Sequence, residues 1–301
     1  MNILRTPESN FDGLSDYPFN ANYVEVGSSA AKLRMHYVDE GPRDGEVILM
    51  LHGEPSWSYL YRYMIPVCAH AGYRVIAPDL VGFGKSDKLA AVEGYSYQSH
   101  MDWMQEFIEA LDLQGITLVC QDWGSLIGLR LAAEQQQRFA RIVVGNGMLP
   151  TGEHKMPLVF KAWKAFALHS PWFPISRIVE VGSAKQFDQE LHRAYNAPFP
   201  DASYKAGTRA FPKLVPMSLN DPASSANRRA WDVLDQWEKP FLTAFSSGDP
   251  ITRGGDKYMQ QRIPGSQGQK HITLRGGHFL QEDSGPEFAR CVNQFIQDNP
   301  A

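Results

Sequence analysis

Apolar positions along this chain follow two periodicities in turn, and their alternation predicts the fold class. Apolar runs of strand length occur at 46–51, 74–79, 115–120, 141–146, 240–245 and 270–274. Runs of this kind suit strands buried on both faces of a parallel sheet. Two further strands are expected near 23–26 and 32–38, the second alternating like a half-buried antiparallel strand. Helical spacing fills 59–70, 97–111, 126–133 and 285–297. In 97–111 the stripe Met101, Met104, Phe107, Ile108 and Leu111 reads as core packing. Strands alternating with helices predict an α/β protein with a mostly parallel, doubly wound sheet.

The pattern breaks after Pro150. Positions 151–226 carry Phe160, Trp163, Phe166, Trp172, Phe173, Phe187, Phe199 and Phe211 among prolines and short helical fragments, with no clear strand. This predicts a helical cap at 151–226, inserted between two parts of a main domain at 1–150 and 227–301. A chain of 301 residues can bury a core of that size.

Composition narrows the partners. A 43% hydrophobic and 21% charged chain is of ordinary globular make-up. Net charge is −4, with no run of Lys and Arg, so neither nucleic acid nor an anionic membrane is an expected partner. The apolar runs fall short of the roughly 20 residues of a membrane span. The first residues lack the apolar stretch of a secretion signal. Cys68, Cys120 and Cys291 are scattered and odd in number, which argues for a reducing cytoplasm rather than a disulfide framework. None has metal-ligand spacing.

Candidate chemistry centres on Asp122. It lies between the apolar run 115–120 and the helical stretch 126–133, where a nucleophile elbow pushes one side chain above a sheet. Such elbows usually read Gly-x-Ser-x-Gly. Here Cys120 takes the first glycine and Asp122 the serine. A carboxylate is already ionised at neutral pH and can displace a leaving group from a saturated carbon, forming an ester. An aspartate capping the following helix explains the same residue equally well.

Chain order favours chemistry. In hydrolases with this elbow the nucleophile precedes an acid, and the acid precedes a histidine. Asp249 and His278 follow Asp122 in that order, each just after a predicted strand, where open α/β sheets place their sites. A turn aspartate before Pro250 is the plain alternative for Asp249. The other eight histidines, His52 among them, read as structural or surface groups. Asp79 reads as a loop organiser, and Asn146 cannot act as a carboxylate. The loop 51–57 is where one oxyanion-hole amide is expected, from Glu54, with a second from Trp123. The Glu54 side chain is either a solvated carboxylate or one that orients a water. The indoles of Trp123 and Trp163 are donors without acceptor capacity, suited to a departing halide.

The segments His52-Gly53-Glu54-Pro55-Ser56-Trp57-Ser58-Tyr59-Leu60-Tyr61-Arg62 and Gln121-Asp122-Trp123-Gly124 resemble the haloalkane dehalogenases of the α/β-hydrolase superfamily. The resemblance extends over most of the chain, including 197–201 and 210–213 in the insertion. It is greatest to the branch with a tryptophan pair and its acid after the seventh strand. It implies Asp122 as nucleophile, His278 as base and Asp249 as its partner. It further implies halide binding by Trp123 and Trp163, an oxyanion hole from the amides of Glu54 and Trp123, and a cavity wall including Phe211 and Pro212. The implied reaction turns a small apolar haloalkane and water into a primary alcohol, a halide ion and a proton, as a detoxification, with no metal or organic cofactor. A monomer is expected. An epoxide hydrolase is the alternative, with Tyr195 or Tyr204 protonating the alkoxide. Ser125 lies off the apex, which disfavours a serine esterase.

Overall fold

The computed structural model describes residues 2–28 and 32–300. Eight strands form one sheet: β1 (Asn22–Val26), β2 (Leu33–Glu40), β3 (Val47–Leu51), β4 (Arg74–Pro78), β5 (Ile116–Asp122), β6 (Phe139–Gly147), β7 (Phe241–Ser246) and β8 (Ile272–Leu274). Their spatial order is β1-β2-β4-β3-β5-β6-β7-β8. The pairings β1–β2 and β2–β4 are antiparallel and the remaining five are parallel.

Alternate residues of each central strand feed two separate cores, which is why the parallel strands read as unbroken apolar runs. Leu49, Leu51, Leu118, Cys120, Ile142 and Val144 face one side. There they meet helices α2 (Tyr97–Ala110) and α3 (Trp123–Glu134). Ile48, Met50, Val119, Val143, Leu242 and Ala244 face the other side. There they meet α1 (Ile65–His70) and α10 (Leu280–Asp298).

Two helices differ from the periodicity. The span 59–70 is a short 3-10 turn, Ser58–Tyr61, followed by α1, because Pro66 fits the first turn of a new helix. The C-terminal helix starts five residues before the expected 285 and kinks at Ser284, just ahead of Pro286, which withholds a backbone N–H. The turn-rich N-terminus also hides a strand: Ile3–Leu4 pairs antiparallel with Lys88–Leu89.

Between β6 and β7 lie α4 (Leu158–His169), α5 (Ile175–Val181), α6 (Gln189–Asn196), α7 (Ala206–Leu214) and α8 (Ser224–Leu234), with no strand among the described residues. The boundary expected at 226 divides α8. That helix packs against α3, and its Trp231 indole N–H donates to the Leu149 carbonyl oxygen just after β6, which sets it beside the sheet. Helix α9 (Gly255–Arg262) follows β7.

Candidate active site

Asp122 closes β5 with φ 49° and ψ −125°. That backbone region costs a non-glycine residue about 1–3 kcal/mol. A Cβ on Gly124 would lie 2.0 Å from the Leu51 carbonyl oxygen, and one on Gly53 would lie 2.4 Å from Cβ of Asp122. The loop after β3 and the β5–α3 turn are therefore pressed together, backbone against backbone. The Asp122 side chain makes no helix-capping hydrogen bond, which disposes of the capping explanation. Its Oδ1 accepts the Glu54 backbone N–H at 2.7 Å. Its Oδ2 stands 3.5 Å from Nε2 of His278. The Trp123 amide opens α3, where a helix has no internal acceptor for its N–H.

His278 follows β8, and its Nδ1 lies 3.0 Å from Oδ2 of Asp249, which follows β7. Asp249 also accepts from the backbone N–H of Ile251 at 2.8 Å and of Thr252 at 3.2 Å, and from the Thr252 hydroxyl. Burial works to raise the Asp249 pKa, but His278 and these donors hold it down at about 2. Burial opposes a proton on His278. The Asp249 charge and the hydrogen bonds to Asp122 and Asp249 outweigh it and raise its pKa to about 10. Any change that neutralised the Asp122 carboxylate would remove its share of that push, lower the His278 pKa and leave more of the ring unprotonated.

Asn146, dismissed as an acid, has a different position of consequence. Its Nδ2 donates to Ser246 Oγ and to the carbonyl oxygens of Gly277 and His278, each at 2.9 Å. Its Oδ1 accepts the Ser246 N–H at 2.8 Å. It thereby ties β6 to β7 and to the loop bearing His278. A polar residue ending an otherwise apolar strand was the available signal. Asp79 is buried and takes Ser58 N–H, Lys85 N–H and the His36 ring, so it organises loops. His52 has both ring nitrogens engaged, with the Gly53 carbonyl and the Leu80 N–H.

Above the elbow is a cavity of about 640 Å³. Asp122, Trp123, Glu54 and His278 line it on the sheet side, and Trp163 and Pro212 from the insertion. Neither the Trp123 nor the Trp163 indole N–H is hydrogen bonded to another described residue. By contrast, the N–H of Trp57 meets the Ala194 carbonyl and that of Trp231 the Leu149 carbonyl. The Glu54 side chain is buried, not solvated. Desolvation, then the nearby Asp122 charge, lifts its pKa well above the usual carboxylate range. Phe211 does not line the cavity as expected. It is fully buried and lies against Trp123 with ring centroids 4.3 Å apart. Successive residues of a helix point in different directions, so Pro212 reaches the cavity while Phe211 backs Trp123 from behind. Val159, Trp172 and Val181 complete an apolar wall that continues to the surface, where Trp172 is 67% and Val181 86% exposed.

No tyrosine is among the described residues lining the cavity. Tyr195 is buried with its hydroxyl donating to Glu282 at 2.5 Å. Glu282 also accepts two N–H groups of Arg62 at 2.7 Å each. The Tyr195 hydroxyl is spent on that cluster, and Tyr204 packs into the core edge. Among the described residues no group of three His, Cys, Asp or Glu is placed to hold a metal ion, and no helix is long and apolar enough to cross a membrane.

Comparison with known proteins bears on the same arrangement. A profile of the alpha/beta hydrolase fold family matches residues 46–285. A haloalkane dehalogenase of Psychrobacter cryohalolentis is 55% identical over 302 aligned positions, covering 100% of both chains. Another, from Mycolicibacterium paratuberculosis, is 54% identical over 99% of both. Among solved structures, a haloalkane dehalogenase of Paraglaciecola agarilytica, described as tetrameric, superposes with a TM-score of 0.89 at 36% identity, covering 96% of this chain and 97% of that one.

Proposed function

Because this chain belongs to the haloalkane dehalogenases, hydrolases of the α/β-hydrolase fold that act on carbon–halide bonds, we propose the following assignment of its residues to that reaction. Asp122 is the nucleophile. Its Oδ1 is held by the Glu54 amide, which leaves Oδ2 to attack the carbon bearing the halogen. The C–O bond forms as the C–X bond breaks, and the electron pair departs with the halide toward the Trp123 and Trp163 indole N–H groups. An apolar cavity strengthens those contacts because little water competes.

His278 then acts as base. With Nδ1–H held by Asp249, its Nε2 takes a proton from water, and the water oxygen attacks the carboxyl carbon of Asp122. Negative charge develops on Oδ1, where the Glu54 amide already sits and the Trp123 amide is close by in the chain. On collapse the departing alkoxide takes the remaining proton of the added water, which releases a primary alcohol and restores the Asp122 carboxylate, and His278 returns its proton to solvent. The overall balance is haloalkane plus water to alcohol, halide and proton. Detoxification of small apolar halogenated compounds is the role proposed. All of these groups come from one chain, so a monomer holds a complete site. The three unpaired cysteines suit a cytoplasmic setting. The main domain is taken as 1–150 and 227–301, with 151–226 as the cap.

The observation carrying this reading is a strained, cavity-facing carboxylate between a backbone donor at 2.7 Å and an imidazole at 3.5 Å. The epoxide alternative lacks its expected tyrosine acid among the described residues lining the cavity, since Tyr195 is committed to Glu282. Incubation with 1,2-dibromoethane and with styrene oxide in parallel tests both. Bromide release without diol is expected, and diol without bromide reverses the assignment.

A further inference from the structure

Gln121, the residue before Asp122, is fully buried on β5. Its Nε2 lies 3.2 Å from the His278 carbonyl oxygen and 3.1 Å from Nε2 of the His278 ring. Its Oε1 is buried with no hydrogen-bond partner among the described residues. Turning the amide over would bring Oε1 against the His278 carbonyl oxygen, two acceptors in contact. The carbonyl therefore dictates that the amide offers the ring a donor. A donor is satisfied only by a lone pair, and Nε2 has one only when unprotonated.

From this juxtaposition we infer that Gln121 is a positioning residue that disfavours a proton on Nε2 of His278, so that the ring gives it up once the Asp122 charge is gone and is ready as a base. The inference rests on the proposed role of His278 in ester hydrolysis. The titratable groups facing the ring are Asp249 from the loop after β7, Asp122 from the β5–α3 turn and Glu54 from the loop after β3. All three are acidic, and in ionised form each favours the imidazolium. Gln121 opposes them. A proton on Nε2 would face the Gln121 amide N–H at 3.1 Å, and with Asp122 neutralised it would no longer have a charged acceptor in the oxygen 3.5 Å away. The unpaired Oε1 is consistent with this. The amide gives up a partner for its oxygen and keeps its nitrogen toward the ring.

The test uses Asp122→Asn, which replaces the carboxylate by a neutral group, as the ester does, and stops turnover. The His278 pKa is read by NMR of the imidazole in Asp122→Asn alone and combined with Gln121→Met or Gln121→Glu. Gln121→Met removes the donor and is expected to raise the pKa by about one unit. Gln121→Glu keeps the shape but offers an acceptor, and is expected to raise it further. In the chain with Asp122 intact, Gln121→Met shifts the acid limb of the pH profile for ester hydrolysis upward by the same amount, and activity recovers at alkaline pH. An unchanged or lowered His278 pKa in both combined variants overturns the inference. So does a rate loss equal at every pH, as a purely structural role gives. The NMR arm needs no substrate, so its failure is distinguishable from a failure to release halide.

Discussion

Replacing Trp163 by Phe tests the halide site at its least direct point. The substitution keeps the aromatic packing, since Trp163 lies 5.8 Å from Phe166 and 5.7 Å from Phe173 between ring centroids. It removes one indole N–H that no described residue uses and that lines the cavity. A hydrogen bond to a charged partner contributes about 1.5–3 kcal/mol, and each 1.4 kcal/mol is about a factor of ten. Loss of that donor should lower kcat/KM for a bromoalkane about ten- to a hundredfold. Bromide affinity should fall by at least as much, because the free ion bears the full charge that the transition state has only in part. Steady-state bromide release gives the first quantity, and quenching of indole fluorescence by added bromide gives the second. Trp172→Phe is the control. Its ring is on the exposed rim, where water replaces a lost contact, and both quantities should stay within about twofold. Unchanged kcat/KM and bromide affinity in Trp163→Phe would refute the assignment, all the more if Trp172→Phe loses both.

Three other outcomes are expected. His278→Ala should release about one halide per chain and stop, leaving an alkyl adduct on Asp122 visible by intact mass; sustained turnover removes His278 from the scheme. Asp249→Asn should destabilise the fold in a pH-dependent way. The Asp249 pKa is lowered to about 2, so its stabilisation is complete above about pH 4 and lost as pH falls toward 2. The His278 pKa is raised to about 10, so its stabilisation is complete below about pH 6.5 and lost as pH rises toward 10. The difference in Tm from wild type should therefore peak between about pH 4 and 6.5, and a pH-independent difference contradicts the pairing. Finally, a cavity of about 640 Å³ holds many times the roughly 30 Å³ of a water molecule, so 1,2-dibromoethane leaves most of it unfilled. Each methylene added to a terminal bromoalkane should lower KM, with kcat/KM rising by up to about fourfold per step until the apolar wall is covered; no dependence on length would mean the chain does not lie in this cavity.

Local pattern alone determined the order of the main strands and helices, the doubly wound character of the sheet and the candidate positions for acid, base and nucleophile. These follow from periodicity, from turn chemistry at strand ends and from chain order, all of which are properties of neighbouring residues. The family motifs around Glu54 and Asp122 were legible for the same reason, since each is a continuous segment. What pattern could not supply are relations across the chain. Only the folded sheet sets Asn146 on the carbonyl of His278, 132 positions away, and spends the Tyr195 hydroxyl on Glu282, removing it as an acid. Only packing decides that Phe211 lies behind Trp123 while its neighbour Pro212 meets the cavity, and that α8 runs unbroken across the boundary expected at 226. Periodicity tells which residues leave water, but which partner each one meets depends on how separate elements close on one another, and that is fixed by tertiary packing.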